Sequence, residues 1–389
     1  MAESFVTLCE PTPREMENQE TVNSKAAPTG AGAPKDHRGR KAAGAIVKFI
    51  VPLAVTVGLC WIMFHNIDFH EMMQVIERDC DFRWIGLMLA LGLAPMLLRA
   101  LRWGIQLRAS GVDAPVHALI YSIVGCYSLN LVFPRLGEVW RTGYISYRED
   151  KPFSTIFGSM IADRFADLIA VGLMTLGTFF VARGPIIDFV RTYPDAYEKL
   201  LHVVTSPWMW GTLIAVIAVT WVVLSRSHGR VATKIKGFLK GLWDGFAAIA
   251  AMKHKWVWLG LTVCIWGCYY LQLVVAFNAF PVMRELLESA GPMVTLVCYV
   301  LTSVAMGIPS NGGIGPYQTV LLFGLNIFLP ALGGSISLSD FNVVGAAFGN
   351  VIIASQTVLL VVLGLIVFAL VTADKHRDMS AKTPAASDK

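Results

Sequence analysis

The sequence predicts an all-α polytopic membrane protein of about six full spans plus two re-entrant helical hairpins, arranged as an inverted-topology repeat. Three observations carry this prediction. The chain of 389 residues is 55% hydrophobic and only 15% charged, with a mean hydropathy of +0.58, whereas a soluble domain carries about a quarter charged residues. Uncharged runs at 85–98, 208–224, 256–280 and 343–371 approach the ~20 apolar residues that a bilayer core of roughly 30 Å demands. Lysine and arginine are unevenly spread: the loop 226–255 carries seven, the N-terminal segment through Lys48 carries seven, and 65–83 is acid-rich. By the positive-inside rule the first two face the cytoplasm and the third faces out.

Residues 1–45 are polar and poor in aromatics, the composition of a disordered cytoplasmic tail. They lack the short basic start and small-residue cleavage site of a secretory signal, so the run from Ala45 is a retained first span, 46–64. A second span, 84–107, returns to the cytoplasm. Were 116–133 to cross fully, Arg135, Arg141, Arg148 and Lys151 would lie outside, and the basic loop 226–255 would follow them. The segment 116–149 therefore enters and leaves on the cytoplasmic side. Spans follow at 155–182, 207–224 and 256–280, then a second interrupted segment at 291–330, a last span at 343–372, and a cytoplasmic tail, 373–389. Whether 291–330 turns back or crosses leaves the end topology the same. The halves 46–182 and 207–372 each read span, span, hairpin, span from opposite sides, the plan of an inverted repeat within one transmembrane domain, 46–372. Both termini are then cytoplasmic and the chain lies in the inner (cytoplasmic) membrane.

The polar residues at membrane depth are the candidate functional set, since such residues are costly there. In "NLVFPRLGEVWRTGYI" the helix is broken by Pro134, which lacks a backbone donor, and by Gly137. Asn130 precedes the break. Arg135 and Arg141 flank Glu138, a cluster that can bind a phosphate while the carboxylate balances charge, or can orient the hairpin at the membrane edge. The second break, "IPSNGGIGP", holds Pro309, Gly312, Gly313 and Gly315, and its freed amides can cradle an anion or simply form a tight turn. In "ADRFADL", Asp163 and Asp167 share a helix face and Arg164 is placed to pair with Asp167. That trio reads either as a self-neutralising network or as a proton-exchanging site. Arg99 and Arg102 end the second span on one face, as anchors or as support for the site.

No phosphate-binding GxxxxGK[ST], no HExxH and no GxSxG occurs, so no ATP hydrolysis, cofactor, metal or enzymatic activity is expected. The seven cysteines show no CxxC pair.

The ordered motifs N-x-x-x-P-x-R-x-G-E-x-x-R, D-R-x-x-D and P-x-x-G-G-x-G resemble those of the lysylphosphatidylglycerol synthase transmembrane family, also called flippase-like domain proteins. The resemblance implies a domain that moves lipids between leaflets, without the soluble aminoacyl-transfer domain, and so without the synthase activity. It implies as site residues Asn130, Pro134, Arg135, Gly137, Glu138, Arg141, Asp163, Arg164, Asp167, Pro309, Gly312, Gly313 and Gly315. Many relatives carry an acidic residue three positions after the last glycine, where this chain has Gln318. The implied function is transport of a lipid with an anionic or aminoacylated headgroup, flippase- or scramblase-like. The alternatives are an accessory subunit of an envelope or glycolipid assembly machine, or a membrane-embedded headgroup transferase. The implied partners are membrane lipids, phospholipid or polyprenyl-phosphate-linked, with a separate lipid-modifying enzyme and no nucleic acid. The sequence gives no signal about oligomeric state.

Overall fold

The computed structural model describes residues 69–133, 135–184, 187, 211, 252–308 and 310–382, with side chains as far as 374. The expected spans 46–64 and 207–224, the tail 1–45, most of the basic loop 226–255, Pro134 and Pro309 lie outside the described residues, as does the tail beyond 382.

Among the described residues all regular structure is helical. A short amphipathic helix, α1 (Phe69–Asp79), precedes α2 (Phe82–Ala109). Asp81 caps α2, its carboxylate accepting from the Arg83 amide at 3.0 Å, which satisfies a donor that has no partner inside the helix. Next come α3 (Val116–Val132), α4 (Leu136–Arg148) and α5 (Phe153–Val181). After the gap come α6 (Lys255–Phe277), α7 (Pro281–Ala290), α8 (Pro292–Ala305), α9 (Pro316–Phe328), a 3-10 turn at Leu329–Leu332, and α10 (Leu338–Lys382).

Helices α2, α5, α6 and α10 are each long and apolar enough to cross a bilayer, and they fall on four of the expected spans. The count rises to five if α7 and α8 are one broken span. Sequence reading did not anticipate α7. It joins α8 at Gly291 with a bend of 109°, and each helix starts with proline, which is pre-shaped for the first helical position. By contrast α3 and α4 have 17 and 13 residues, about 26 Å and 20 Å of helix, both short of the roughly 30 Å hydrocarbon core. They fold back on each other, as do α8 and α9.

The helices pair in an exchanged pattern. α2 runs along α6, α3 of the first broken pair packs against α10, and α8 of the second packs against α5. Small residues set several of these approaches. On α3, Gly125 lies under the Trp140 ring of α4; on α10, Gly364 faces Ser128 of α3, whose hydroxyl donates to the Leu360 carbonyl at 2.8 Å. Buried Gln272 of α6 donates to the Met88 carbonyl of α2 at 3.1 Å. Two apolar clusters result. One joins α1 and the start of α2 with α6–α10, and the other, built on Trp103, Leu107, Leu119, Ile123, Ile145 and Ile156, joins the rest of α2 with α3–α5. Outward positions such as Leu168, Leu173 and Phe180 of α5, Val263 of α6 and Leu365 of α10 are exposed. A surface this apolar belongs in lipid. The protein is a multi-pass membrane protein.

Candidate functional site

The first helix break is held by Asn130. Its side-chain oxygen accepts from the Gly137 amide at 2.9 Å, and its side-chain nitrogen donates to Glu138 Oε2 at 3.2 Å. One residue thus ties the end of α3 to the start of α4. Gly137 is required there, because a Cβ would strike the Cys126 carbonyl oxygen and Asn130 Oδ1. Arg135 caps α4 in the left-handed region, φ +64°, a conformation that costs a residue with a Cβ roughly 1–2 kcal/mol. Its guanidinium is exposed and donates to the Gly307 carbonyl at 3.4 Å.

The second break meets the first at that point. Gly312, with φ +63°, lies against Leu131 of α3. Gly313 and Gly315 also have positive φ, +84° and +91°, which only glycine adopts without strain. The Gly315 amide, expected to be open to an anion, instead donates to Gln318 Oε1 at 2.7 Å, and Gln318 Nε2 donates to Asn350 Oδ1 at 3.3 Å. Gln318 is buried and caps its own helix. The two breaks therefore touch, with Gln318 and the Gly315 amide turned into the scaffold.

The charged residues assemble differently from the local pairing expected. Asp167 sits at the middle of α5, Asp163 a turn before it, and both face α2. Arg102 Nη2 donates to Asp163 Oδ1 at 2.7 Å and to Asp167 Oδ1 at 2.8 Å, and Arg102 Nη1 to the Thr262 hydroxyl of α6 at 3.3 Å. Arg99 donates to Asp167 Oδ2. Arg99 and Arg102 are 3% and 0% exposed, so they hold the network together and are not interfacial anchors. Arg164 does not pair with Asp167; it reaches Glu138 Oε1 at 3.4 Å instead. Nor do Arg135 and Arg141 converge on Glu138, whose partners are Arg164 and Asn130.

Arg141 is fully buried. Its guanidinium carbon lies 3.7 Å from the centroid of the Trp103 ring, and Nη2 is 3.6 Å from Asp163 Oδ2. None of its three guanidinium nitrogens has a hydrogen-bond partner among the described residues, and Trp103 Nε1, Ser159 Oγ and Asp163 Oδ2 are likewise unpartnered. Among the described residues the buried network sums three arginines (99, 102, 141) against two aspartates (163, 167), leaving one positive charge. The Glu138–Arg164 pair beside it is neutral.

Sequence reading missed Trp103, Trp258, Thr262 and Ser159. Trp258 lies under Arg102, 5.4 Å from the guanidinium carbon to the ring centroid. The available signal was the match of Arg99 and Arg102, at i and i+3, to Asp163 and Asp167, at i and i+4, on spans of opposite direction.

Comparison with curated proteins and with solved structures finds no match. The family model for the lysylphosphatidylglycerol synthase TM region matches residues 49–343, which takes in both helix breaks and the buried network. The chain belongs to the lysylphosphatidylglycerol synthase TM region family.

Proposed function

We propose that this protein is a lipid transporter of the flippase or scramblase type, without enzymatic activity of its own, that takes an anionic headgroup at Arg141, in the helix that follows the first break. The observation that carries this reading is Arg141, a buried cation in a network of net charge +1 with every guanidinium donor unused among the described residues. A charge left so in a membrane interior costs several kcal/mol, and an anion that supplies both the counter-charge and the acceptors removes that cost. The meeting of the two breaks at Arg135–Gly307 and Leu131–Gly312 supports a gate between them.

The short α3–α4 and α8–α9 pairs support two re-entrant hairpins. The exchanged packing of α3 with α10 and α8 with α5 supports an inverted repeat whose halves rock against each other. Lysine and arginine placement supports cytoplasmic termini in an inner membrane.

The test is translocation in proteoliposomes with fluorescent phospholipids and a membrane-impermeant quencher. Wild-type protein should expose lipid beyond the outer leaflet. Arg141→Gln, reconstituted at matched density and verified as folded by size exclusion, should slow exposure at least about tenfold, the size of one lost charge-assisted hydrogen bond. Arg135→Ala, at the exposed junction, should slow it less. Quenching confined to the outer leaflet for wild type, across several headgroups and with an imposed proton gradient, would reject transport and favour an accessory or transferase role.

A further inference from the structure

We infer that the ligand of the Arg141 site carries a single negative charge, as a phosphodiester does, and that the charge count of the buried network sets this preference. The inference rests on the transport reading above and narrows its substrate class. Three neighbouring helices carry buried donors with no hydrogen-bond partner among the described residues: Arg141 of α4, Trp103 Nε1 of α2 and Ser159 Oγ of α5. They are linked spatially. Arg141 stacks on Trp103 at 3.7 Å, Ser159 offers its carbonyl to Gln106 Nε2 at 2.8 Å one turn beyond Trp103, and Asp163 lies one turn beyond Ser159. The stacking fixes the guanidinium plane, so its N–H groups keep a defined direction for a tetrahedral anion.

The sum then selects. One negative charge brings the network from +1 to zero. A phosphomonoester, at about −1.5 to −2 near neutral pH, overshoots. A zwitterion leaves the excess in place, and a headgroup with more amino groups than phosphates adds to it. In a buried, low-dielectric setting the uncompensated charge is penalised most heavily. The Glu138–Arg164 pair adds nothing to the sum, and exposed Arg135 is screened by solvent.

The experiment is equilibrium lipid binding to the full-length protein in neutral detergent, read as the lipid concentration that half-saturates the rise in Tm. The probes are phosphatidylglycerol (net −1), phosphatidic acid, phosphatidylethanolamine (net zero) and lysyl-phosphatidylglycerol (net +1). Wild type should bind phosphatidylglycerol about tenfold tighter than each of the others. Arg141→Gln should erase that preference. Asp163→Asn raises the network by one positive charge and should move the preference toward phosphatidic acid by about tenfold. Should that variant not fold, Asp167→Asn makes the same change in charge within the same network. Glycerophosphoglycerol, the deacylated headgroup, separates the two sources of a phosphodiester. Displacement of the lipid at equal concentration supports a soluble ligand, and failure to displace at hundredfold excess supports a membrane lipid; the charge rule holds in both.

Phosphatidic acid or lysyl-phosphatidylglycerol binding wild type as tightly as phosphatidylglycerol would overturn the inference, as would a preference that survives Arg141→Gln. Selective binding without translocation would sink the transport reading alone, and translocation blind to headgroup charge would sink this inference alone.

Discussion

Arg102→Met is expected to cost about 3–5 kcal/mol of stability, the range for removing one partner of a buried ion pair, and to lower the Tm of the purified protein by roughly 5–10 °C. Arg102 is the hub of the network. It gives Asp163 its hydrogen bond at 2.7 Å, shares Asp167 with Arg99, holds Thr262 of α6, and covers Trp258. Methionine fills much of the same volume, so the loss is electrostatic and not a cavity. Asp163 would then keep only Arg141 at 3.6 Å, too far for a hydrogen bond. The double variant Arg102→Met/Asp163→Asn should recover part of the loss, because both charges of the strongest pair are gone. A shift of less than about 2 °C for the single variant would mean that the pairing contributes little, and that α2, α5 and α6 are held by apolar packing and by the Gln106–Ser159 and Gln272–Met88 hydrogen bonds.

Gly137→Ala should be the most damaging small substitution in the first helix break. The new methyl group would meet the Cys126 carbonyl oxygen and Asn130 Oδ1. The first of these is backbone and cannot swing aside. Relief requires α4 to move off α3, which stretches the 2.9 Å bond from the Gly137 amide to Asn130 and loosens the hold of Asn130 on Glu138. Overpacking of this kind costs about 1–3 kcal/mol, and translocation should fall with it. Gly143→Ala is the control within the same helix. A Cβ there meets nothing within 4 Å, and removing a helical glycine should gain about 0.5–1 kcal/mol. Equal Tm values for the two variants would show that the close crossing at Gly137 does not constrain the hairpin.

Legibility in the sequence followed the range of the forces involved. The spans at 84–107, 155–182, 256–280 and 343–372 were readable because hydrophobic length is a local property, and helices lie on all four. The break after Val132 was readable because Pro134 and Gly137 act on their own backbone. Pairing was less so. Arg164 and Asp167 sit at i and i+3, a spacing that allows contact, yet Arg164 points toward Glu138 of α4 and Asp167 toward α2. Residues 163 and 167 share a face, and position 164 lies about 100° around the helix from 163, so the choice was made by which neighbour stood on each side. The local role of Gln318 was hidden for a related reason. In one dimension it shows only as the residue that stands where many relatives carry an acid, while its position three residues into α9 lets it satisfy the Gly315 amide, a donor with no partner inside the helix. Tryptophans 103 and 258 look like membrane-belt residues in one dimension, and only the fold sets their rings against Arg141 and Arg102.

The contact of Ser128 with Leu360 has a consequence for how the chain is made. These partners are 232 positions apart, so at a synthesis rate of ~5–20 residues per second the ribosome delivers the second about 12–46 seconds after the first. Throughout that interval α3 and α4 already carry Asn130, Glu138 and Arg141, while the partner that α10 provides for α3 has yet to be made. The packing of α10 on α3 is therefore possible only late in synthesis, against a helix whose residues were made long before it.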